Sequence, residues 1–371
     1  MQKEDCKRNL NIVMLGGSGA GKTVYLASLY RQLSTQGKNP YNSFFLDINC
    51  EDRRILNNIF ASVVSSTENW PPGTRSIKDW QFKCCVRTEK GKIYEVCSFN
   101  YIDYAGGTIS DVLDDEQGRY NQMQLDQKVK EASVLLGLLD GQKVVNFMHD
   151  HPSSIDWINK DLVNIIQVMN QASAPIHFVI SKWDYVETSK FSLKEIRDKL
   201  LEIQVLNMLV ENKKDRVGLI PVSSVGTGFA NFKRMSDGNV RMLKTGQIHV
   251  QPYQVEVPLA YVLIDVIQNA SEKLQKKIQN MNAIAKFFFF LKSLFINPLI
   301  EFMPPGSHWI SKEVIDQISN FTINGLGSVY IKSLADIENE KAALDHVISC
   351  FRLIIDLFED SEHCLMIKRQ K

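Results

Sequence analysis

The segment Gly16-Gly17-Ser18-Gly19-Ala20-Gly21-Lys22-Thr23 constrains the fold of this chain more than any other. It matches the pattern G-x-x-x-x-G-K-[ST], follows the apolar residues 11–15, and precedes a segment of helical periodicity over residues 23–36. Glycines let consecutive N–H groups face phosphate oxygens, while Lys22 neutralises their charge and the Thr23 hydroxyl coordinates Mg²⁺. The alternative is a flexible Gly-rich turn, which would match by chance in roughly one chain in a hundred. The pattern therefore predicts that residues 17–23 bind a nucleotide phosphate.

Strand and helix patterns alternate along the chain to about residue 282, and this alternation predicts the fold class. Apolar runs predict strands over residues 43–49, 80–87, 92–102, 134–139, 176–181 and 217–223. Helical periodicity is found over residues 51–66, 154–170, 193–210 and 258–278. We therefore expect an α/β fold, with a doubly wound, mostly parallel sheet and helices on both faces. Residues 226–255 break the alternation with glycines, and we interpret them as an insertion with room for a small hairpin.

The chain after residue 282 has a different pattern, so we divide it into residues 1–282 and a helical C-terminal region, 283–371. No strand pattern recurs there, and residues 342–358 have apolar side chains at helical spacing. Residues 283–303 are strongly apolar but interrupted by Lys286, Lys292 and Pro298, which argues against a membrane span. They fit either a helix packed on the rest of the protein or a surface for a partner or a bilayer interface. The basic end, residues 368–371, is expected to be a frayed tail.

Polar residues at the ends of later strands complete the predicted metal site. Residues 97–102 are followed by Asp103-Tyr104-Ala105-Gly106, a D-x-x-G sequence. The Asp103 carboxylate is suited to hold Mg²⁺ through water, and Gly106 offers a backbone N–H to a γ-phosphate. An acidic turn that closes a hairpin is the alternative.

Two further strand ends carry residues suited to recognise a base. Residues 176–180 lead into Ser181-Lys182-Trp183-Asp184, and the Asp184 carboxylate can accept two guanine N–H groups that adenine lacks. The Lys182 stem would lie along the base. Ser223 and Ser224 follow the next strand, where a backbone N–H can reach the guanine carbonyl oxygen. Polar loops after strands are the alternative for both segments.

These four motifs, in this order, resemble the G domain of TRAFAC-class P-loop GTPases. The sequence is most similar to bacterial double-GTPase-like proteins of predicted conflict and antiviral defence systems. This similarity is found in three segments: residues 21–26, Trp70-Pro71-Pro72-Gly73-Thr74 and the D-x-x-G segment. The resemblance covers roughly residues 8–282. It implies GTP and GDP binding, Mg²⁺, slow hydrolysis and a molecular switch that acts on a partner. It also implies that Thr74 closes on Mg²⁺ and the γ-phosphate, unless Thr74 only ends a turn.

One departure from the pattern bears on catalysis. Gly107 stands where many GTPases have a water-positioning Gln, so hydrolysis is expected to be weak alone, or to need Thr108 or an arginine. Arg75 is a candidate in this chain. Two alternatives stay open: a P-loop ATPase in which Ser-Lys-Trp-Asp is fortuitous, and a nucleotide-gated scaffold with negligible hydrolysis.

Composition limits which classes of partner and which cellular compartment are expected for this chain. The 43 Lys and Arg residues balance 42 Asp and Glu residues without a basic stripe, so nucleic acid is not expected as a partner. Seven scattered cysteines and a polar beginning indicate the reducing cytoplasm and no integral membrane segment. We expect a protein effector or partner GTPase that binds through the switch loops or the C-terminal region, with a homodimer and a peripheral membrane contact left open.

Overall fold

The computed structural model describes residues 10–65, 70–71, 77–103, 116–213, 216–235, 240–246, 249–275, 333–361 and 365–368. Its strands are β1 (Leu10–Gly16), β2 (Phe45–Ile48), β3 (Lys78–Arg87), β4 (Ile93–Asp103), β5 (Val134–Asp140), β6 (Ile176–Ser181), β7 (Val217–Pro221), β8 (Ala230–Arg234), β9 (Val240–Lys244) and β10 (Leu365–Lys368). Its α-helices are α1 (Lys22–Leu33), α2 (Cys50–Val64), α3 (Glu116–Lys130), α4 (Gly141–Met148), α5 (Ser153–Asp156), α6 (Val163–Asn170), α7 (Trp183–Thr188), α8 (Leu193–Leu201), α9 (Gln204–Asn212), α10 (Val257–Gln275) and α11 (Glu340–Glu359). A π-helical turn, Trp157–Leu162, joins α5 to α6.

Eight of these strands form one mixed sheet in the order β10-β7-β6-β5-β1-β4-β3-β2. The five central strands, β4, β1, β5, β6 and β7, are parallel, while β2, β3 and β10 run antiparallel to their neighbours. This arrangement confirms the predicted α/β fold with a mostly parallel sheet. Because parallel strands end at the same edge, the residues after β1, β4, β5, β6 and β7 converge there, and β1 lies at the point where the strand order reverses.

Helices cover both faces of the sheet, and each face has its own core. Helices α1, α2, α10 and α11 bury apolar side chains in one cluster, which includes Leu26, Tyr261 and Phe351. Helices α3, α4, α6, α8 and α9 contribute to the other. The central strands β5, β6 and β7 are buried along their whole lengths, which explains their unbroken apolar sequences.

The described C-terminal segments pack onto this sheet. Helix α11 covers the predicted helical residues 342–358, begins at an Asn339 cap, and packs against α10. The expectation that no strand follows residue 282 is wrong, because Leu365–Lys368 forms β10 and pairs with β7. The apolar run Leu365-Met366-Ile367 is too short to show a strand pattern, and pairing with the open edge of β7 supplies the backbone hydrogen bonds instead. The apolar residues 283–303 lie outside the described residues.

The break in the α/β alternation contains a separate two-stranded sheet. Strands β8 and β9 pair antiparallel, with Phe232 opposite Met242. The segment leaves the main sheet at Gly226, whose φ of 80° and close approach to the Gln251 carbonyl oxygen admit only glycine. It returns where the Gln251 N–H donates to the Val225 oxygen at 3.2 Å. The hairpin therefore arises directly from the loop that follows β7.

Candidate functional site

The phosphate loop curves between β1 and α1 as the sequence predicts. Gly19 and Gly21 adopt φ values of 78° and 87°, and Gly21 precedes the first residue of α1. These left-handed conformations are accessible mainly to glycine, which explains why glycine stands at both positions. The loop therefore leads directly into the N-terminus of α1, where backbone N–H groups are unpaired within the helix and favour an anion.

Lys22 lies at the floor of this loop. Its ammonium group donates to the Gly16 and Gly17 carbonyl oxygens at 2.7 and 3.3 Å. Burial lowers the pKa of Lys22, and the nearby carboxylates of Asp103 and Asp161 partly oppose that shift. A buried cation in a loop of N–H donors is suited to bind polyphosphate.

Thr23 and Asp103 are in contact although they are 80 residues apart in the sequence. The Thr23 hydroxyl donates to Asp103 Oδ2 at 2.6 Å, and Asp103 is fully buried at the end of β4. A hydroxyl and a carboxylate are the hard oxygen ligands that Mg²⁺ takes, with water and nucleotide phosphates completing its shell. Because two protein oxygens fill only part of that shell, the pair fits a metal held jointly with a nucleotide. The described residues contain no cluster of three or more His, Cys, Asp or Glu side chains.

Asp184 lies almost fully buried at the start of α7, with 3% of its surface exposed. Its Oδ1 accepts the Ser223 hydroxyl at 2.7 Å, whereas its Oδ2 is buried without a hydrogen-bond partner. Burial raises the pKa of Asp184, and the hydrogen bond from Ser223 only partly opposes this rise. A buried carboxylate oxygen without a donor is costly, so this atom fits a ligand that supplies N–H groups.

The loop after β7 supports Asp184 from the other side. The Ser223 hydroxyl also accepts the Val225 and Gly226 N–H groups at 3.4 and 2.9 Å. The adjacent Ser224 carbonyl oxygen accepts the buried hydroxyl of Ser28, on α1, at 2.8 Å. The structure therefore fixes this predicted base-recognition loop to the helix that carries the phosphate loop.

Lys182 connects the base-recognition segment to the end of β5. It adopts φ 53°, and its ammonium group donates to Asp140 Oδ2 at 2.8 Å and to Gln142 Oε1 at 3.5 Å. Asp140 is a site residue that the sequence reasoning missed. The available signal was its position at the end of an apolar strand, at the same sheet edge as Asp103 and Ser181.

Asp161 is a second missed residue, and no local sequence signal marks it. A Cβ atom on Gly17 would lie 3.0 Å from Asp161 Oδ2, so the carboxylate faces the phosphate loop closely. Asp161 belongs to the π-helical turn, which shifts the direction of side chains relative to a regular α-helix. The site thus contains a negative charge beside the predicted phosphate position.

The structure brings Lys22, Thr23 and Asp103 together at one end of the site, and Lys182, Asp184 and Ser223 at the other. Thr74, Gly106 and the residues predicted to affect hydrolysis lie outside the described residues; the latter are Arg75, Gly107 and Thr108.

Comparison with known families agrees with this geometry. The model of the Double-GTPase 1 family (DO-GTPase1) matches residues 13–249, which is more than half of the chain and includes the phosphate loop and both base-recognition segments. The chain belongs to the Double-GTPase 1 family. This membership confirms the resemblance seen in the sequence and supports GTP binding and, in general terms, GTP hydrolysis. No curated protein matches the sequence of this Double-GTPase 1 chain.

Several solved structures are similar to parts of the chain. Elongation factor SelB from Methanococcus maripaludis, in complex with the GTP analogue GppNHp, is 12% identical with a TM-score of 0.29, over 58% of this chain and 30% of that one. A single-residue variant of Aquifex aeolicus Era bound to GDP·AlF4⁻ is 16% identical with a TM-score of 0.30, over 58% and 50%. The G domain of the T. maritima FeoB iron transporter is 13% identical with a TM-score of 0.27, over 58% and 87%. The matched region thus spans half or less of the SelB and Era chains.

No helix within the described part of the chain has the length and apolar character that crossing a membrane requires.

Proposed function

We propose that this protein binds GTP and GDP with Mg²⁺, hydrolyses GTP slowly, and acts as a nucleotide-dependent switch on a protein partner. The observation that carries the proposal is the buried Asp184 Oδ2, which has no hydrogen-bond partner. Guanine presents a ring N–H and an exocyclic amino group side by side, and both can donate to one carboxylate. Oδ1 also keeps a lone pair after accepting the Ser223 hydroxyl. Adenine offers no such pair of donors on that edge.

The remaining residues divide between phosphate, metal and base. Lys22 and the N–H groups of residues 17–21 bind the phosphates, and Thr23 and Asp103 hold Mg²⁺, which neutralises phosphate charge when bound. The aliphatic part of Lys182 lies along the base. Ser223 and Ser224 belong to the loop that recognises the base. Thr74 and Gly106 sense the γ-phosphate in this proposal.

Hydrolysis adds water to the γ-phosphorus and breaks the bond to the bridging oxygen, giving GDP and phosphate. Lys22 and the phosphate-loop N–H groups stabilise the charge that accumulates on the leaving oxygen. Gly107 has no side chain that could orient the water. We therefore expect slow turnover until Thr108, Arg75 or a partner's arginine supplies the missing group.

We propose a cytoplasmic protein that acts on a protein effector or a partner GTPase, in a bacterial conflict or defence system. The defence role is supported only by the family resemblance of the sequence.

Single-turnover phosphate release from GTP in the presence of Mg²⁺ tests the enzymatic part. We expect a rate of roughly 10⁻⁴ to 10⁻² per second, which is typical of GTPases without an activating partner. Lys22→Ala should abolish it, whereas Lys194→Ala, an exposed lysine on α8, should leave it unchanged.

The same experiment tests the second candidate, a nucleotide-gated scaffold, which Gly107 favours. GTP that binds but releases no phosphate above the Lys22→Ala background would contradict the GTPase and support the scaffold.

A further inference from the structure

The hairpin of β8 and β9 contacts the base-recognition side of the site at two points. The Phe232 ring packs on Tyr185, the residue after Asp184, with ring centroids 4.8 Å apart. The Gln142 side-chain amide donates to the Val240 carbonyl oxygen at 3.2 Å, and its oxygen accepts from Lys182. One amide thus joins the hairpin to the lysine predicted to lie along the base.

The same hairpin also contacts α2 and the segment that follows it. The Trp70 indole N–H donates to the Met242 carbonyl oxygen at 3.0 Å, and the Phe229 ring packs edge-on against Trp70. The Lys244 ammonium donates to the Ser62 and Ser65 carbonyl oxygens at 2.8 and 3.2 Å. These contacts attach the far end of β9 to the C-terminal end of α2.

Strand β9 contributes to both sets of contacts, through Val240 at one end and Met242 and Lys244 at the other. Val240 and Lys244 are four residues apart, so β9 extends about 13 Å between them at the usual rise of a strand. Val24, which follows the metal-binding Thr23, packs in the same apolar cluster as Trp70 and Phe229. The hairpin therefore runs from the base-recognition segment, beside the start of α1, to the end of α2.

We propose that this hairpin is a strap that retains the bound nucleotide, with Gln142 and Trp70 as the positioning residues that hold its two ends. A nucleotide bound between the phosphate loop and Asp184 then leaves only when the strap separates from α4 or from α2. The proposal rests on the proposed guanine-nucleotide binding and deepens it, because it assigns the control of nucleotide release to a specific element of this chain.

The test is the dissociation rate of a fluorescent GDP analogue from the full chain with Mg²⁺ present. Trp70→Phe keeps an aromatic ring against Phe229 but removes the N–H that binds Met242. Gln142→Ala removes the bond to Val240 together with the 3.5 Å contact from Lys182. Each lost hydrogen bond, worth about 1 kcal/mol, should accelerate dissociation roughly 5-fold. Lys233→Ala, at an exposed position on the same hairpin, is the matched control and should dissociate GDP at the wild-type rate.

Two further readouts separate a strap from a general loss of structure. The preference for guanine over adenine nucleotides should be unchanged in each variant, and the melting temperature of the nucleotide-free chain should fall by about 2 to 4 °C at most, the effect of one lost hydrogen bond. A larger fall would show a general loss of structure and overturn the strap. If either variant releases GDP at the wild-type rate, or loses its guanine preference along with its retention, the strap is overturned. Failure of the wild-type chain to bind any guanine nucleotide would instead overturn the proposed function.

Discussion

Asp161 places a carboxylate beside the loop that is proposed to bind the triphosphate of GTP, which carries about four negative charges. Because like charges repel, Asp161→Asn should tighten GTP binding about 3- to 10-fold, with a smaller gain for GDP, while the isosteric amide keeps the shape of the π-helical turn. Equilibrium titration of both nucleotides checks this. Asp156→Asn removes an equivalent charge from the exposed side of α5 and should change neither affinity. Weaker binding by Asp161→Asn would show that the carboxylate holds the loop in shape instead.

The raised pKa of Asp184, caused by its burial, predicts a pH dependence of guanine binding. Guanine N–H groups bind the ionised carboxylate, so affinity is retained above the pKa of the free protein and falls as the pH drops through it. That loss should begin above the usual aspartate range near about 4. The ratio of the GDP dissociation constants of Asp184→Asn and wild type isolates this effect, because titration of the terminal phosphate affects both proteins. The ratio should fall towards one as the pH is lowered, and a ratio that stays constant down to a pH of about 4 would contradict the assignment.

A buried hydroxyl forms a hydrogen bond between α1 and the loop after β7, in addition to the apolar cluster in which Val24 and Val225 pack. Ser28→Ala removes the bond to the Ser224 carbonyl oxygen and so weakens the attachment of the base-recognition loop to the helix that carries the phosphate loop. We expect guanine-nucleotide affinity to fall about 5-fold, the cost of one hydrogen bond. Isothermal titration measures it, with Ser34→Ala, just after the end of α1, as the control. Equal affinity in Ser28→Ala and wild type would show that this hydrogen bond does not position the base-recognition loop.

The sequence predicted those elements whose burial is complete and whose periodicity is regular. Strands β5, β6 and β7 could be found because both faces are buried, and the phosphate loop because strand, glycines and helix occur together. Helix α3 was missed because Leu125 and Val129 are its only buried apolar residues among those whose side chains are described, so its apolar stripe is too sparse to show a period. The predicted helix over 193–210 is two helices, α8 and α9, which meet at an extended Ile203.

The candidate site was predictable at strand ends and not elsewhere. Asp103 and Asp184 follow apolar runs, and the common edge of a parallel sheet brings such residues together. Asp161 comes from within a helix, at a π-helical turn that no local pattern predicts. The contact between Trp70 and Met242 joins residues 172 positions apart, through a hairpin whose place on the protein depends on the folded sheet.

A buried polar network joins the C-terminal helix to the main sheet. Gly218 donates its N–H to His177 Nδ1 at 3.0 Å, so His177 donates from Nε2 to Asp265 Oδ2 at 2.5 Å. Arg216 binds Asp265 Oδ1 at 3.0 Å and lies 3.6 Å from Glu359, at the end of α11. Burial alone would raise the pKa of Asp265, but His177 and Arg216 outweigh it and lower that pKa. The network thus connects β6, β7, α10 and α11 through one ionised carboxylate.

Breaking this network should destabilise the whole molecule. Asp265→Asn leaves Arg216 without its buried counter-ion, and we expect a loss of about 3 kcal/mol in the free energy of unfolding at pH 7, measured with urea. Because the folded pKa is lowered, this stabilisation is complete above the unfolded value of about 4 and is lost as the pH falls through the folded pKa. Asp79→Asn, which breaks the more exposed pair with Lys128, should cost about 1 kcal/mol or less. Equal effects of the two substitutions would contradict a structural role for the network.

Recognition of guanine by the Asp184 carboxylate can be measured by nucleotide competition with Mg²⁺ present. GTP, GDP, ATP, ADP and xanthosine diphosphate compete against a fluorescent guanine nucleotide on wild type, and against a fluorescent xanthine nucleotide on Asp184→Asn. We predict that wild type prefers guanine over adenine nucleotides by about 100-fold or more, because guanine donates two hydrogen bonds to the charged Asp184 carboxylate and adenine cannot. Asp184→Asn should lose this preference and favour xanthine, whose carbonyl accepts from the new amide where guanine has a donor. Equal competition by adenine nucleotides on the wild-type protein would rule out guanine recognition by Asp184 and leave only a phosphate-binding loop.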